Sequence, residues 1–142
     1  MEAPRIDSSR WNLIPPACGA ATRFEFRVFD PTGYAKTQVV SSDIVRSSAH
    51  ASLGPGGLPV FSVDFTSEGA KKFHSLTRTL ARRGARLHHP QSFALEIGGR
   101  VYARPVVDYR AFPDGLDGQS GIQIQGMSPA TAQRLARQIR GG

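Results

Sequence analysis

The 142-residue sequence contains one cysteine, Cys18, so neither an intrachain disulfide nor a thiolate metal cluster can form. The stretch before it, Leu13-Ile14-Pro15-Pro16-Ala17, is too short and too broken by proline to serve as a lipid-attachment signal, and Cys18 reads as an incidental thiol. Long hydrophobic runs are also missing, so nothing in the sequence spans a bilayer. Met1-Glu2-Ala3-Pro4-Arg5 has neither the basic start nor the apolar stretch of a signal peptide. Lysine is scarce: of 18 basic residues only Lys36, Lys71 and Lys72 are not arginine. Such a skew follows genome base composition as readily as function. The net charge of +7, which attracts nucleic acid or anionic lipid, is therefore a weak guide to partners.

What is present fits one folded domain. A chain this long buries roughly two-thirds of the surface it exposes when unfolded. With 39% hydrophobic residues, 15 glycines and 10 prolines, it has a core and generous loops rather than the composition of a disordered segment.

Residues 1–20 lack periodicity and read as an irregular arm that Trp11, Leu13 and Ile14 pin to the body. From Ala21 the pattern changes. Phe24, Phe26 and Val28 alternate with Arg23, Glu25 and Arg27, which predicts a half-buried strand ended by Asp30-Pro31-Thr32-Gly33. An extended piece at 38–41, a turn at Ser42-Asp43-Ile44 and a strand over 45–52 follow. The loop Leu53-Gly54-Pro55-Gly56-Gly57 leads into a strand carrying Phe61, Val63 and Phe65. Thr66 or Ser67 caps a helix with Ala70, Phe73, Leu76 and Leu80 on one stripe, and Gly84 is its natural stop. Phe93, Leu95 and Ile97 alternate in a further strand. Gly98-Gly99 makes a tight turn into a return strand over 100–107, and Pro105 puts that strand at an edge or bends it. Ile122 and Ile124 mark a last strand. Ser128-Pro129 starts a helix with Ala132, Leu135, Ala136 and Ile139 on its apolar face. The order predicts an α+β fold, a mainly antiparallel sheet with two helices packed on one face.

The search for chemistry finds no convergent set. Gly118-Gln119-Ser120-Gly121 fails the spacing of a nucleophile elbow because Ile122 stands where glycine is needed. His88 and His89 are adjacent and point apart, unlike metal ligands one helical turn apart. Asp108, Asp114 and Asp117 read as turn residues. The Gly54–Gly57 loop lacks the lysine and hydroxyl of a phosphate loop. Lys71, Lys72, Arg78, Arg82 and Arg83 make a possible basic helix face able to track phosphates. Single-strand binding would also want aromatics exposed on the sheet, and only Phe29, Tyr102 and Tyr109 depart from the buried alternation. No cofactor and no metal is implied, and the reading is non-enzymatic.

Several segments resemble the first periplasmic domain of SecD, the membrane subunit that assists protein export. Ala21-Thr22-Arg23-Phe24-Glu25-Phe26-Arg27 is similar to the family's A-x-L-E-F-R strand, and Val39 to Ile44 to its L-T-G-x-D-I element. The segment from Pro59 to Phe73 is nearly P-x-V-x-x-x-F-x-S-E-G-A-x-K-F. Phe93 to Val107, Gly121 to Gly126 and the final helix ending Arg140-Gly141 supply three more in the right order. Gly98 stands where the family usually has Asp, Arg104 replaces a small residue, and the insert from Arg82 to His89 is unusually basic.

The resemblance implies a ferredoxin-like-related head domain over 21–142. It implies an extracytoplasmic location, with the targeting segment absent from this chain. SecD works with SecF beside the protein-conducting channel, and its proton coupling lies in transmembrane helices that this chain lacks. What remains is a module assisting translocation by contacting exported polypeptide. Its partners would be that polypeptide and other Sec-type translocase subunits, if it is part of a larger protein, with membrane reached only through segments absent here. The contact edge expected from the sequence is Arg100, Tyr102, Arg104 and Val106. The alternatives are a standalone extracytoplasmic structural or protein-interaction domain and a basic nucleic-acid binder. No nucleic-acid partner is expected.

Overall fold

Side chains on a strand point alternately to its two faces, so a period of two marks one face for the core. The structure, a computed structural model describing residues 25–141, follows that rule. In β1 (Phe26–Phe29), Phe26 and Val28 are buried while Arg27 and Phe29 are half-buried. β2 (Val39–Val40) leads into a 3-10 turn at Ser41–Asp43. β3 (Ile44–Leu53) and β4 (Pro59–Phe65) form the wide-looped antiparallel hairpin. α1 (Ser67–Leu87), β5 (Gln91–Ser92), β6 (Ala94–Ile97), β7 (Arg100–Ala103), β8 (Val106–Val107), β9 (Ile122–Gln125) and α2 (Pro129–Gly141) complete the chain. The expected arm over 1–20, with Trp11 and Cys18, lies outside the described residues, as does Phe24. Among the described residues no helix is long and apolar enough to cross a membrane.

Among the described residues every strand pairing is antiparallel and two helices pack on the strands, an α+β fold. The strands do not join in one ladder. They fall into three, ordered β2-β1-β6-β7, β3-β4-β9 and β5-β8. The third continues the hairpin of the first. Ile97 faces Arg100 and Glu96 faces Val101, but Leu95 faces Ala103, so Tyr102 is the extra residue of a bulge. The Phe93 N–H donates to the Pro105 carbonyl (3.1 Å), and Ser92 and Gln91 face Val106 and Val107. Residues 91–107 thus form one long hairpin, bent where proline cannot donate.

α2 lies on β3 and β4, while α1 packs against β2, β4, β5 and β8. Phe73 of α1 holds the halves together. Its ring centroid is 5.0 Å from that of Phe65 and 5.5 Å from that of Phe93, the latter edge-on. The helix does not stop at Gly84, as its sequence suggests, but runs one turn further. His88, at a φ of 55°, ends it in the left-handed conformation. Gly84 is needed for space: a Cβ there would meet the Tyr109 ring at 3.0 Å and the His89 carbonyl at 3.2 Å. Close approach mimicked a stop signal.

The start of α1 is fastened by Asp43, a buried carboxylate. Its Oδ2 accepts from the Val40 N–H (2.9 Å), and Lys72 Nζ reaches both carboxylate oxygens at 3.2 and 3.1 Å. The Asp43 carbonyl accepts from the Thr66 N–H (2.9 Å) and hydroxyl (3.2 Å), and Thr66 Oγ1 caps the helix by accepting from the Gly69 N–H (3.0 Å). Gly69 passes so close to the Asp43 backbone that no side chain fits.

A second buried carboxylate, Asp30, organises the turn after β1. Oδ1 accepts from the Thr32 N–H (2.9 Å) and hydroxyl (2.8 Å), and Oδ2 from the Ala35 N–H (2.9 Å). Burial pushes the Asp30 pKa up, but these hydrogen bonds from Ala35 and Thr32, with the Arg83 charge nearby, outweigh it and hold the carboxyl below its ordinary value.

Two stability predictions result. Asp43→Ala strands the Val40 N–H and the Lys72 ammonium, and is expected to cost about 3 kcal/mol in urea unfolding. Gly69→Ala should cost at least about 2 kcal/mol, although alanine is the better helix former. For Asp30 the depressed native pKa means a contribution fully present above the unfolded value of about 3.9 and lost as pH falls through the native value. Asp30→Asn should therefore be less stable than the parent at pH 7 by about 1–2 kcal/mol. The gap should close as both are unfolded at successively lower pH, below about pH 4.

Candidate functional site

Strand pairing leaves one side of β7 and one side of β9 without a neighbouring strand among the described residues. An edge strand presents unpaired N–H and C=O groups that invite another extended chain. Between these two edges lies an open groove of about 680 Å³ rather than a ladder. The β7 hairpin contributes Arg100, Tyr102 and Arg104, β9 contributes Gln123 and Gln125, and the first turns of α2 contribute Ser128, Thr131 and Arg134. A second hollow of about 490 Å³ continues it, sharing Pro105, Gln123 and Ile124. Its walls are mainly apolar, with Phe73, Phe93, Phe112, Leu116, Ile122 and Pro105, alongside Asp117 and Gln123.

The loop that carries Phe112 and Leu116 is held to α1 by Thr77, a fully buried hydroxyl. Thr77 Oγ1 donates to the Phe73 carbonyl (3.0 Å) and accepts from the Leu116 N–H (2.8 Å). His74 Nε2 meets the Asp114 carbonyl at 3.0 Å on the same surface. Sequence reading missed Thr77. Its only trace was a polar residue inside the apolar stripe of α1, one position after Leu76.

Of the expected contact edge, Arg100, Tyr102 and Arg104 line the groove together. Val106 does not: it lies on β8, opposite Ser92, and is 61% exposed. β9 as the facing wall, and Arg134, were not foreseen. The alternation of Gln123 and Gln125 with Ile122 and Ile124 was the available signal, polar side chains on one face of a short strand.

The expected basic helix face divides. At 100° per residue Arg78 and Arg82 each fall within about 20° of Lys71, whereas Lys72 and Arg83 lie about a third of a turn away. Lys72 is committed to Asp43. Arg83 stacks on Tyr34, with its guanidinium 4.2 Å from the ring centroid, and donates to Thr32 Oγ1 at 3.2 Å. The aromatics that depart from the buried alternation are each covered by an arginine. Arg27 stacks on Phe29, Arg100 sits 5.4 Å from Tyr102 and Arg110 5.6 Å from Tyr109.

Other candidates resolve into structural roles. Asp108 Oδ1 accepts from Arg110 and Ala111 N–H groups and Asp117 Oδ1 from the Gln119 N–H, both as turn formers, while Asp114 faces Arg82 at 3.9 Å on the surface. Ser62 Oγ lies 3.0 Å from His50 Nε2 and 3.4 Å from Nδ1. A hydroxyl near both ring nitrogens is in line with neither lone pair, so the pair is not aligned as a nucleophile and its base.

The three antiparallel ladders, the two helices and the groove between strand edges define a small α+β head domain built from hairpins. Residues 26–142 match the family described as "SecDF, P1 head subdomain", and the chain belongs to that family. No curated protein sequence matches it. A solved structure described as "Crystal structure of SecDF in Super-membrane-facing form" is 23% identical, with a TM-score of 0.58 over 84% of this chain and 18% of that one. Another, "Structure and function of a membrane component SecDF that enhances protein export", is 22% identical, with a TM-score of 0.58 over 84% of this chain and 62% of the other. The chain thus spans less than two-thirds of either relative, and at these identities the likeness is one of fold.

Proposed function

We propose that this chain is a non-catalytic module of protein export that holds an extended segment of the exported polypeptide between β7 and β9. The observation that carries this reading is the pair of strand edges, each with one side unpaired among the described residues, that together line a groove of about 680 Å³. Backbone groups on such edges bind an extended peptide by adding a strand, whatever its sequence, which suits a machine with many clients. Family membership supports the export role, as does the relative described as a membrane component that enhances protein export. The module comprises residues 21–142, with 1–20 as an arm, and works on the extracytoplasmic side beside other Sec-type translocase subunits. Membrane attachment would come from segments other than these.

The test is a fluorescence-anisotropy titration of the full chain with a labelled, uncharged, unstructured decapeptide. Binding is expected to be weak, about 10–100 μM, because a one-strand contact is small. N-methylating alternate peptide amides should weaken it about tenfold by removing ladder donors. Undiminished binding of the methylated peptide would sink the strand-addition mechanism. Failure to bind any polypeptide, with tight salt-sensitive binding of an oligonucleotide, would overturn the export reading.

A further inference from the structure

The groove is chemically two-ended. At one end stand three guanidinium groups, Arg100 and Arg104 from the hairpin and Arg134 from α2, and no Asp or Glu lines that end. None of the three is in an ion pair among the described residues. The first turn of α2 opens into the same end, where Ser128 Oγ caps the Thr131 N–H (3.1 Å), so the helix adds its positive pole. At the other end the walls are mainly apolar, Phe93, Phe112, Leu116 and Ile122, with Asp117 as their one carboxylate, and Phe112 is 48% exposed.

We propose that the groove selects extended segments carrying an acidic and a bulky apolar side chain on the same side of the strand. This rests on the polypeptide-holding reading above and deepens it. The two hollows adjoin along β9, sharing Pro105, Gln123 and Ile124, so one added strand reaches both from the same side. In an added strand, positions i and i+4 point to the same side, while i and i+3 point to opposite sides. The acidic preference comes from the guanidinium fork, which matches a carboxylate with two parallel N–H bonds. A phosphate backbone would satisfy the arginines equally well. It would leave both strand edges and the apolar hollow unused, which is why a peptide is favoured over a nucleic acid.

The experiment titrates the full chain with four labelled decapeptides and one single-stranded oligothymidine. The peptides carry Glu and Phe four apart in each order, Glu and Phe three apart, and Lys and Phe four apart. One of the two Glu/Phe peptides with four-residue spacing should bind about tenfold more tightly than the Lys peptide, since each exposed charge pair contributes up to about a factor of five. It should also bind several-fold more tightly than the peptide with three-residue spacing. The charge preference should fall in about 0.5 M NaCl and disappear in Arg104→Ala/Arg134→Ala, whose exposed positions should leave the melting temperature unchanged. Equal binding of the Glu and Lys peptides would overturn the selection while leaving the groove a polypeptide site. Loss of all peptide binding would overturn both. Oligothymidine binding more tightly than every peptide, and weakened by the same double substitution, would assign the arginines to nucleic acid instead.

Discussion

A carboxylate removed from water must be given partners, and the placement of Asp43 sets the rest of this fold. Its two oxygens and its carbonyl collect the Val40 amide, the Lys72 ammonium and both donors of Thr66. Those groups belong to the end of β2 and the first turns of α1, so satisfying one buried residue fixes where and at what angle the long helix starts. Gly69 allows the required closeness. With that end fixed, Phe73 meets Phe65 on one side and Phe93 on the other, which positions the 91–107 hairpin against α1. Thr77, one turn on, then places the loop with Phe112 and Leu116. The 91–107 hairpin and the loop with Phe112 and Leu116 both trace back to a helix whose start Asp43 fastens.

The unpaired edges of β7 and β9 run against the usual economy of sheets, in which an open edge is a hazard. Closing the gap between them would join two of the three ladders. The sequence opposes this at several points. Tyr102 bulges, Pro105 lacks an N–H, and Arg100 and Arg104 place charge along the edge. Charged edges and bulges are also the ordinary protection against aggregation, so these features alone do not specify a ligand. What goes beyond protection is the second edge lining the same groove, the third arginine from α2, and an apolar hollow continuous with the charged end. A strand needing only to be blunted has no use for these.

Local pattern revealed the elements: alternation marked β1, β4, β6 and β9, and Thr66 and Ser128 announced the helices they cap. The same signals misled where space rather than conformation explained a residue. Gly84 looks like a helix end in sequence and is instead a contact with Tyr109, which lies distant in the chain. Asp43 looked like a turn former, and its burial depended on Lys72, a residue that reads as part of a basic face. Arg100, Tyr102 and Arg104 were legible as an edge because Pro105 marks one. The opposite wall was not, because no local pattern says which two strands leave a gap between them. Arg134 on the polar face of α2 looks like any solvated arginine until β7 stands across from it.

The net charge of +7 illustrates why composition is a poor guide to partners here. Much of the positive charge is already engaged. Arg27 faces Glu96 at 3.3 Å, Lys72 neutralises Asp43, and Arg83 and Arg86 both stack on Tyr34. Arg46 and Arg140 donate to the Ile139 and Ala49 carbonyls, clamping α2 to β3. Arg82 faces Asp114 at 3.9 Å, Lys71 borders a separate hollow beside Asp117, and Arg78 lies exposed on the helix, where water screens it. Arg100, Arg104 and Arg134 are different because they line one concavity, Arg100 lying 5.4 Å from the Tyr102 ring within it, and a cleft focuses the field of a few charges. Position, not number, makes those three the charges with something to recognise, and the strand edges between them make an extended chain the ligand that fits.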